Sequence, residues 1–133
     1  IDQWYMTEFG KKFRFREFQV YKDARKFVVE LKRFSKQKFP PHEKFALLDQ
    51  LWRALDSIIL NIAEGADRGT DKDFALFLNR SHTSLNEVVA CIDIALDNTY
   101  INTSEQSMWL EEAGALADQL TAFRRKLLIT PTK

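Results

Sequence analysis

Positions that suit a buried helix face recur along the chain at steps of three and four residues, in four separate stretches. This spacing returns to one face of an α-helix, and no stretch alternates as a half-buried strand would. The sequence therefore predicts an all-α protein. The four stripes are Val20, Ala24, Phe27, Leu31 and Phe34; Phe45, Leu48, Trp52, Leu55, Ile59 and Ile62; Phe74, Phe77 or Leu78, Ser81, Leu85, Val88, Ile92 and Ala95; and Trp109, Ala113, Leu116, Leu120, Phe123 and Leu127.

Helix-breaking residues separate the stripes. Pro40 and Pro41 end the first helix, because proline lacks an N–H and keeps the preceding residue out of the helical region. Residues 1–14 have no clear period and are assigned to an N-terminal arm that precedes one bundle domain. The predicted helices cover residues 15–38, 42–66, 71–98 and 104–129. Their short connections predict an antiparallel, up-down-up-down four-helix bundle.

Capping residues mark two of the predicted helix starts. Thr70 can accept a hydrogen bond at the start of the third helix, with Asp71 and Asp73 near the positive end of the helix dipole. Thr103 and Gln106 have the spacing of a capping box for the fourth helix.

Composition narrows the class of protein. The chain has 133 residues, which is enough for one continuous core, with 45% hydrophobic and 29% charged residues. The single cysteine, Cys91, excludes an internal disulfide, and a reducing cytoplasmic compartment is expected. No apolar run is long enough to cross a bilayer, so a soluble protein without a membrane partner is expected.

Positive charge is concentrated in the first helix. Residues 11–38 contain eleven Lys and Arg against three acids, a local charge of +8, so the rest of the chain carries −7 to give the net +1. Six of these cations are candidates for binding nucleic acid or a partner: Lys22, Arg25, Lys26, Lys32, Arg33 and Lys36. Phosphate recognition uses such clusters. The alternative is a solvated helix face balanced by acidic helices of neighbouring copies.

A polar stripe runs along the second helix beside its apolar stripe. It consists of Gln50, Arg53, Ser57, Asn61 and Glu64. The intervening positions are also apolar, so this helix is expected to be enclosed nearly all round, in part by another copy of the chain. A polar stripe inside protein must be paired, and Arg53 is expected to pair with Glu87 or Glu64 in a structural network. A solvated face is the alternative.

The sequence does not favour an enzyme. The only histidines, His42 and His82, lack the Glu-x-x-His pairing that builds metal sites in helical bundles. No P-loop or nucleophile elbow is present. We therefore expect no catalytic residues, no metal, no cofactor and no small-molecule substrate.

One run has the character of a family motif: Gln50-x-x-Arg53-Ala54-x-x-Ser57-Ile58-x-x-Asn61-Ile62-Ala63-Glu64-Gly65. With Phe15-Arg16-Glu17-Phe18 before it and Ser84-Leu85-x-Glu87 after it, this run resembles the 23S rRNA intervening-sequence proteins over about residues 13–128. The resemblance implies an antiparallel four-helix bundle that forms a homopentamer, with no catalytic residues.

Distant relatives implied by the same resemblance are the accessory variability determinants of diversity-generating retroelements, which bind a reverse transcriptase and RNA. The expected function is therefore a non-enzymatic, oligomeric binding or scaffold module that associates with RNA or a ribonucleoprotein through its basic first helix. The alternative is an accessory protein that binds a protein partner such as a retroelement reverse transcriptase.

Overall fold

The computed structural model describes residues 12–129 and contains four α-helices. They are α1 (Gln19–Lys38), α2 (Leu47–Gly65), α3 (Asp71–Asp97) and α4 (Thr103–Ile129). Short 3-10 turns at Arg14–Glu17 and Pro41–Glu43 precede α1 and α2. No strand occurs within these described residues, which confirms the predicted all-α class. Residues 1–11 of the predicted N-terminal arm lie outside the described part of the chain.

Two helices begin later than the sequence predicts. Helix α1 begins at Gln19 rather than residue 15, because Phe18 is extended (φ −69°, ψ 132°) between the first 3-10 turn and the helix. Helix α2 begins at Leu47 rather than residue 42, because Ala46 departs from helical geometry (φ −126°, ψ −105°). The ends of α3 and the start of α4 lie within one residue of the predicted positions.

Consecutive helices run antiparallel. Trp52 donates a hydrogen bond from Nε1 to Ser35 Oγ, whereas Asp56, four residues later, meets Lys32, three residues earlier. The same inverse order pairs α2 with α3, through Ser57–Ser84 and Ile58–Ser81, and α1 with α4, through Phe18–Phe123 and Phe27–Trp109. Because α1 runs opposite to both α2 and α4, and α3 runs opposite to α2, α3 also runs opposite to α4, which it contacts at Asp93–Gln106. Each helix therefore packs on two others around one core, as an up-down-up-down bundle requires.

The core confirms three of the predicted stripes and corrects the second. In α2 the buried residues are Leu47, Leu51, Ala54, Leu55, Ile58 and Ile62. Phe45, the first member of the predicted stripe, is 87% exposed, and Leu48, Trp52 and Ile59 are only partly buried. The predicted buried face is rotated toward α1 relative to the observed one. Apolar residues lie on two neighbouring sides of α2, so their spacing alone does not show which side is buried.

Helices α2 and α3 approach each other closely. A Cβ added to Gly65 would lie 2.5 Å from Cβ of Phe77, so only glycine allows this contact. The fully buried Ser81 donates a hydrogen bond from Oγ to the carbonyl oxygen of Ile58 at 2.8 Å. Small side chains therefore set the distance between these two helices.

Aromatic rings fill the space between α1 and α4. Trp109 packs against Phe27 and Phe34, with ring centroids 6.0 and 5.3 Å apart. Nearer the start of α1, Phe18 packs edge-on against Phe123 at 5.3 Å. Large aromatic rings, rather than small residues, therefore fill the contact between α1 and α4.

The two predicted caps have different outcomes. Thr70 accepts a hydrogen bond from the backbone N–H of Asp73, which confirms the cap of α3. The capping box of α4 is formed by Asn102 and Glu105, each side chain accepting from the other's backbone N–H at 2.8 and 3.0 Å. The predicted box at Thr103 and Gln106 was wrong by one residue, because Asn102 offers the better cap oxygen.

Candidate functional site

The outer face of α1 is a row of cations around one apolar side chain. Lys22, Lys26, Val29, Arg33 and Lys36 follow steps of four, three, four and three residues, so they share one face of the helix. All five are exposed, and Val29 is 52% exposed at the centre. We call this surface, together with Arg25 on its flank, the basic face.

Few carboxylates compensate the charge of the basic face. Lys22 lies 3.9 Å from Glu17 in an exposed ion pair, which is too long and too solvated to neutralise much charge. Within residues 12–129, Lys26, Arg33 and Lys36 have no carboxylate within ion-pair distance.

The acids of α1 lie toward α4 instead. Asp23 accepts hydrogen bonds from Gln19 and Gln119, both at 2.9 Å, and it lines a cleft with Glu30 and Glu112. Lys26 also lines this acidic cleft, so the cleft joins the basic face at that residue.

Two of the six predicted cations differ from the others. Lys32 lies between α1 and α2, where its Nζ is 2.6 Å from Asp56 and 5.3 Å from the ring centroid of Trp52. Arg25 is exposed and lies over the ring of Tyr21 at 5.7 Å. Lys32 is therefore committed to the contact between helices, whereas Arg25 remains available at the edge of the basic face.

The predicted polar stripe of α2 lies along its seam with α3. Gln50 donates to Glu87 at 3.2 Å, and the hydroxyls of Ser57 and Ser84 are 2.7 Å apart. Asn61 donates to the carbonyl and hydroxyl oxygens of Ser57 at 2.9 and 3.0 Å. The hydrogen bonds run across the outer edge of the seam, where these side chains are exposed or partly buried.

Arg53 and Glu64 do not join these hydrogen bonds. The predicted pairing of Arg53 with Glu87 or Glu64 is wrong, because its Nε lies 3.2 Å from Asp49 and its side chain is 80% exposed. Glu64 is also exposed. The outward face of α2 is thus charged and exposed in the single chain. Only Leu60, 62% exposed, interrupts this charged face.

A groove lies where α1 ends and α2 begins, next to the basic face. It has a volume of about 540 Å³. Its lining comprises Lys36, Phe39, Pro40, Pro41, Lys44, Phe45, Leu48, Asp49 and Trp52. Sequence reasoning missed this groove because it placed Phe45, Leu48 and Trp52 in the core. The position of Phe45 follows from the late start of α2 after the non-helical Ala46, which no residue pattern signals.

A polar clasp ties the α1–α2 connection to the α3–α4 connection. Tyr100 donates from its hydroxyl to Glu43 at 2.6 Å, and His42 Nε2 lies 3.3 Å from the same hydroxyl. Glu43 also accepts from the backbone N–H of Leu47 and so caps α2. The Tyr100 hydrogen bond, helped by the Leu47 N–H, lowers the pKa of Glu43, and the same hydrogen bond raises the pKa of Tyr100.

Several chemical roles find no support in the geometry. Burial, with a smaller contribution from Glu87, raises the pKa of Cys91 to about 11, so its thiol is a poor nucleophile at neutral pH. Across residues 12–129, His, Cys, Asp and Glu form no group of three or more suited to a metal ion. In the same part of the chain, no helix is both long and apolar enough to span a membrane.

Comparisons with known proteins agree with the fold. A family model described as 23S rRNA-intervening sequence protein matches residues 16–122. A crystal structure of a protein of unknown function from the S23 ribosomal protein family of Bacteroides thetaiotaomicron VPI-5482 superposes with a TM-score of 0.67. It is 20% identical in sequence, and the match covers 79% of this chain and 97% of that one. No curated protein matches. Neither description names a catalytic activity.

Proposed function

The chain belongs to the 23S rRNA-intervening sequence protein family, and we propose that it is a non-enzymatic RNA-binding module whose basic face holds the phosphate backbone. The observation that carries this proposal is the exposure of Lys22, Arg25, Lys26, Arg33 and Lys36 on one side of α1.

The arrangement of these cations supports a polyanionic ligand. Lys36 lies fourteen positions after Lys22, so the basic face extends about 21 Å along the helix axis at 1.5 Å per residue. Like charges that lie this close repel one another, and a polyanion relieves the repulsion while releasing its own counterions. A surface held only for solubility would carry interspersed acids, as the outward face of α2 does.

Charge reversal with a matched control tests the proposal. Lys26→Glu with Arg33→Glu alters two cations at the centre of the basic face. Lys72→Glu with Arg125→Glu makes the same change in net charge at two exposed cations outside α1. We expect the first pair to abolish fluorescence anisotropy changes with a structured RNA, and the second pair to weaken binding only slightly. Equal losses would reduce the effect to net charge and overturn the proposal.

We also propose that the protein acts as a homo-oligomer, with the pentamer implied by the family resemblance as the expected ring. Support comes from apolar side chains on the outer surface of α2 and α3, where Leu60 is 62%, Leu76 47% and Ile94 44% exposed. Subunits packed there would leave α1 on the outside and repeat the basic face around the ring. Light scattering at micromolar concentration should give a multiple of 15.6 kDa, and Leu60→Glu should lower it. The mass of one chain for the wild type would overturn this assembly.

The alternative partner is an acidic protein surface, such as that of a reverse transcriptase. The same basic face would then serve a protein ligand. Absence of RNA binding at every salt concentration would favour this alternative over the proposed function.

A further inference from the structure

We propose that the groove beside the basic face is a stacking site for an unpaired nucleobase, so that the preferred ligand is single-stranded rather than duplex RNA. This inference rests on the proposed function and extends it to the class of RNA. The groove and the basic face share Lys36, so one strand can contact both surfaces without a break.

The aromatic side chains of the groove are accessible. Phe45 is 87% exposed, although phenylalanine is usually buried, and it follows a proline-containing turn that projects it away from the core. Trp52 is partly buried, and its indole N–H is already bonded to Ser35, which fixes the ring in the wall of the groove. One exposed ring and one fixed ring provide the flat apolar surfaces on which bases stack.

The charge at the rim favours a nucleic-acid strand over a neutral apolar ligand. Lys36 and Lys44 are exposed at the edges of the groove, and Lys44 lies over the ring of Phe45 at 5.3 Å from its centroid. The one acid in the lining, Asp49, is paired with Arg53 at 3.2 Å. The groove is thus aromatic inside and cationic at its edges, which is the combination that single-strand binders use.

The volume also fits such a ligand. At about 540 Å³ the groove falls within the range of roughly 300–1,000 Å³ that holds small ligands. A base in a duplex is stacked on both faces and cannot enter it. The geometry therefore discriminates between paired and unpaired RNA, whereas the basic face alone does not.

The test compares three probes that share the phosphate backbone: a short single-stranded RNA, the same strand annealed to its complement, and an abasic strand of the same length. Binding is measured by fluorescence anisotropy for the wild type, Phe45→Ala and Phe45→Tyr. Leu128→Ala is the control, since Leu128 is also an exposed apolar residue but lies on α4, outside the groove.

We expect Phe45→Ala to weaken single-strand binding about five- to a hundredfold, the range that stacking of one base spans. Phe45→Tyr should bind as the wild type does, and Leu128→Ala should leave affinity unchanged. Binding of the duplex and of the abasic strand should not respond to either Phe45 variant. Because Phe45 is so exposed, thermal melting of Phe45→Ala should match the wild type, so a loss of affinity is not a loss of fold.

Failure of this inference differs from failure of the proposed function. If the single strand, duplex and abasic strand bind equally and Phe45→Ala changes none of them, the groove does not hold a base, while phosphate binding by the basic face stands. If no probe binds at low salt, both fail. If Phe45→Ala weakens the abasic strand as much as the single strand, the role of Phe45 is not base stacking and the inference is overturned.

Discussion

Helices α1 and α2 have similar lengths, 20 and 19 residues, but they contribute to the protein in opposite ways. Helix α2 packs closely on α3 through Gly65 and Ser81, and its outward charges include the pair Asp49–Arg53. Helix α1 packs on α4 through aromatic rings, and within residues 12–129 most of its outward cations have no carboxylate at ion-pair distance. One helix therefore satisfies its polar groups within the monomer, whereas the other presents them outward.

This difference assigns stability mainly to the contact between α2 and α3, and ligand binding mainly to the outer side of α1. The contact between α2 and α3 mainly stabilises the fold. Its hydrogen bonds and close packing leave little surface for a ligand. The contact of α1 with α4 depends on large apolar rings that leave the opposite side of α1 free. Substitutions in the seam should therefore change stability, and substitutions on the basic face should change binding with little effect on folding.

The largest expected effect is on the aromatic contact that holds α1. Trp109 is 5% exposed and meets both Phe27 and Phe34, so Trp109→Ala should lower the free energy of unfolding by about 3–5 kcal/mol in urea denaturation. Trp109→Phe should lower the free energy of unfolding far less. It keeps a ring, and it removes an indole N–H that has no hydrogen-bond partner among the described residues. Equal losses for the two variants would contradict the importance of ring packing here.

The next effect tests the close approach of α2 to α3. Gly65→Ala should destabilise by about 1–3 kcal/mol, since the new Cβ overlaps Cβ of Phe77 and one helix must shift. Gly114→Ala is the matched control. A Cβ at Gly114 meets nothing within 4 Å, so alanine there should stabilise α4 by about 0.5–1 kcal/mol. Thermal melting of both variants checks the prediction, and the same sign of change in both would argue against close helix packing at Gly65.

A smaller effect is expected from the hydrogen bonds of the same seam. Ser81→Ala removes a buried bond to the Ile58 carbonyl and should cost about 1 kcal/mol. Ser84→Ala should cost less, because Ser84 is only partly buried and water can replace it beside Ser57. Chemical denaturation of the two variants gives the order, and a larger loss for Ser84→Ala would contradict it.

The smallest effect concerns pH and the clasp between the two connections. The pKa of Glu43 is lowered, chiefly by Tyr100, so its contribution to stability is present above the unfolded value near 4.5 and is lost as pH falls through the lower, folded value. The raised pKa of Tyr100 adds stability below about pH 10 that is lost as pH rises through the folded value. Tyr100→Phe should therefore flatten both limbs of the stability–pH curve.

Lys38 provides the internal control for that experiment. Its ion pair with Glu105, at 2.7 Å, lowers the pKa of Glu105 and does not involve Tyr100. Some acid sensitivity should thus persist in Tyr100→Phe. Melting curves collected from acid to alkaline pH measure the effect, and a profile identical to that of the wild type would contradict the clasp.

The sequence predicts the bundle well because helical periodicity is local and strong. The buried faces of α1, α3 and α4 follow directly from steps of three and four residues, and the cap at Thr70 follows from its spacing to Asp73. The phase of α2 could not be predicted in the same way. Leu47 and Leu48, or Leu51 and Trp52, are equally apolar neighbours, and only packing against α3 decides which of each pair is buried.

The candidate site likewise has features that the sequence predicts and features that it does not. The basic face is predictable, because charge on one side of a periodic helix is visible in sequence. The partner of Arg53 is not, since Asp49 and Glu64 lie on the same helix and Glu87 on the next, and side-chain geometry decides among them. The groove at Phe45 required knowing where α2 begins, which depends on the conformation of Ala46 rather than on any residue pattern.

The most direct test of the account is the salt dependence of RNA affinity. If the five cations of the basic face each neutralise a phosphate, the logarithm of the association constant should fall with the logarithm of salt concentration with a slope of about −3.5 for a single strand. Lys26→Glu with Arg33→Glu should make that slope clearly shallower. A slope near zero for the wild type, or a slope that these substitutions leave unchanged, would contradict phosphate binding by α1.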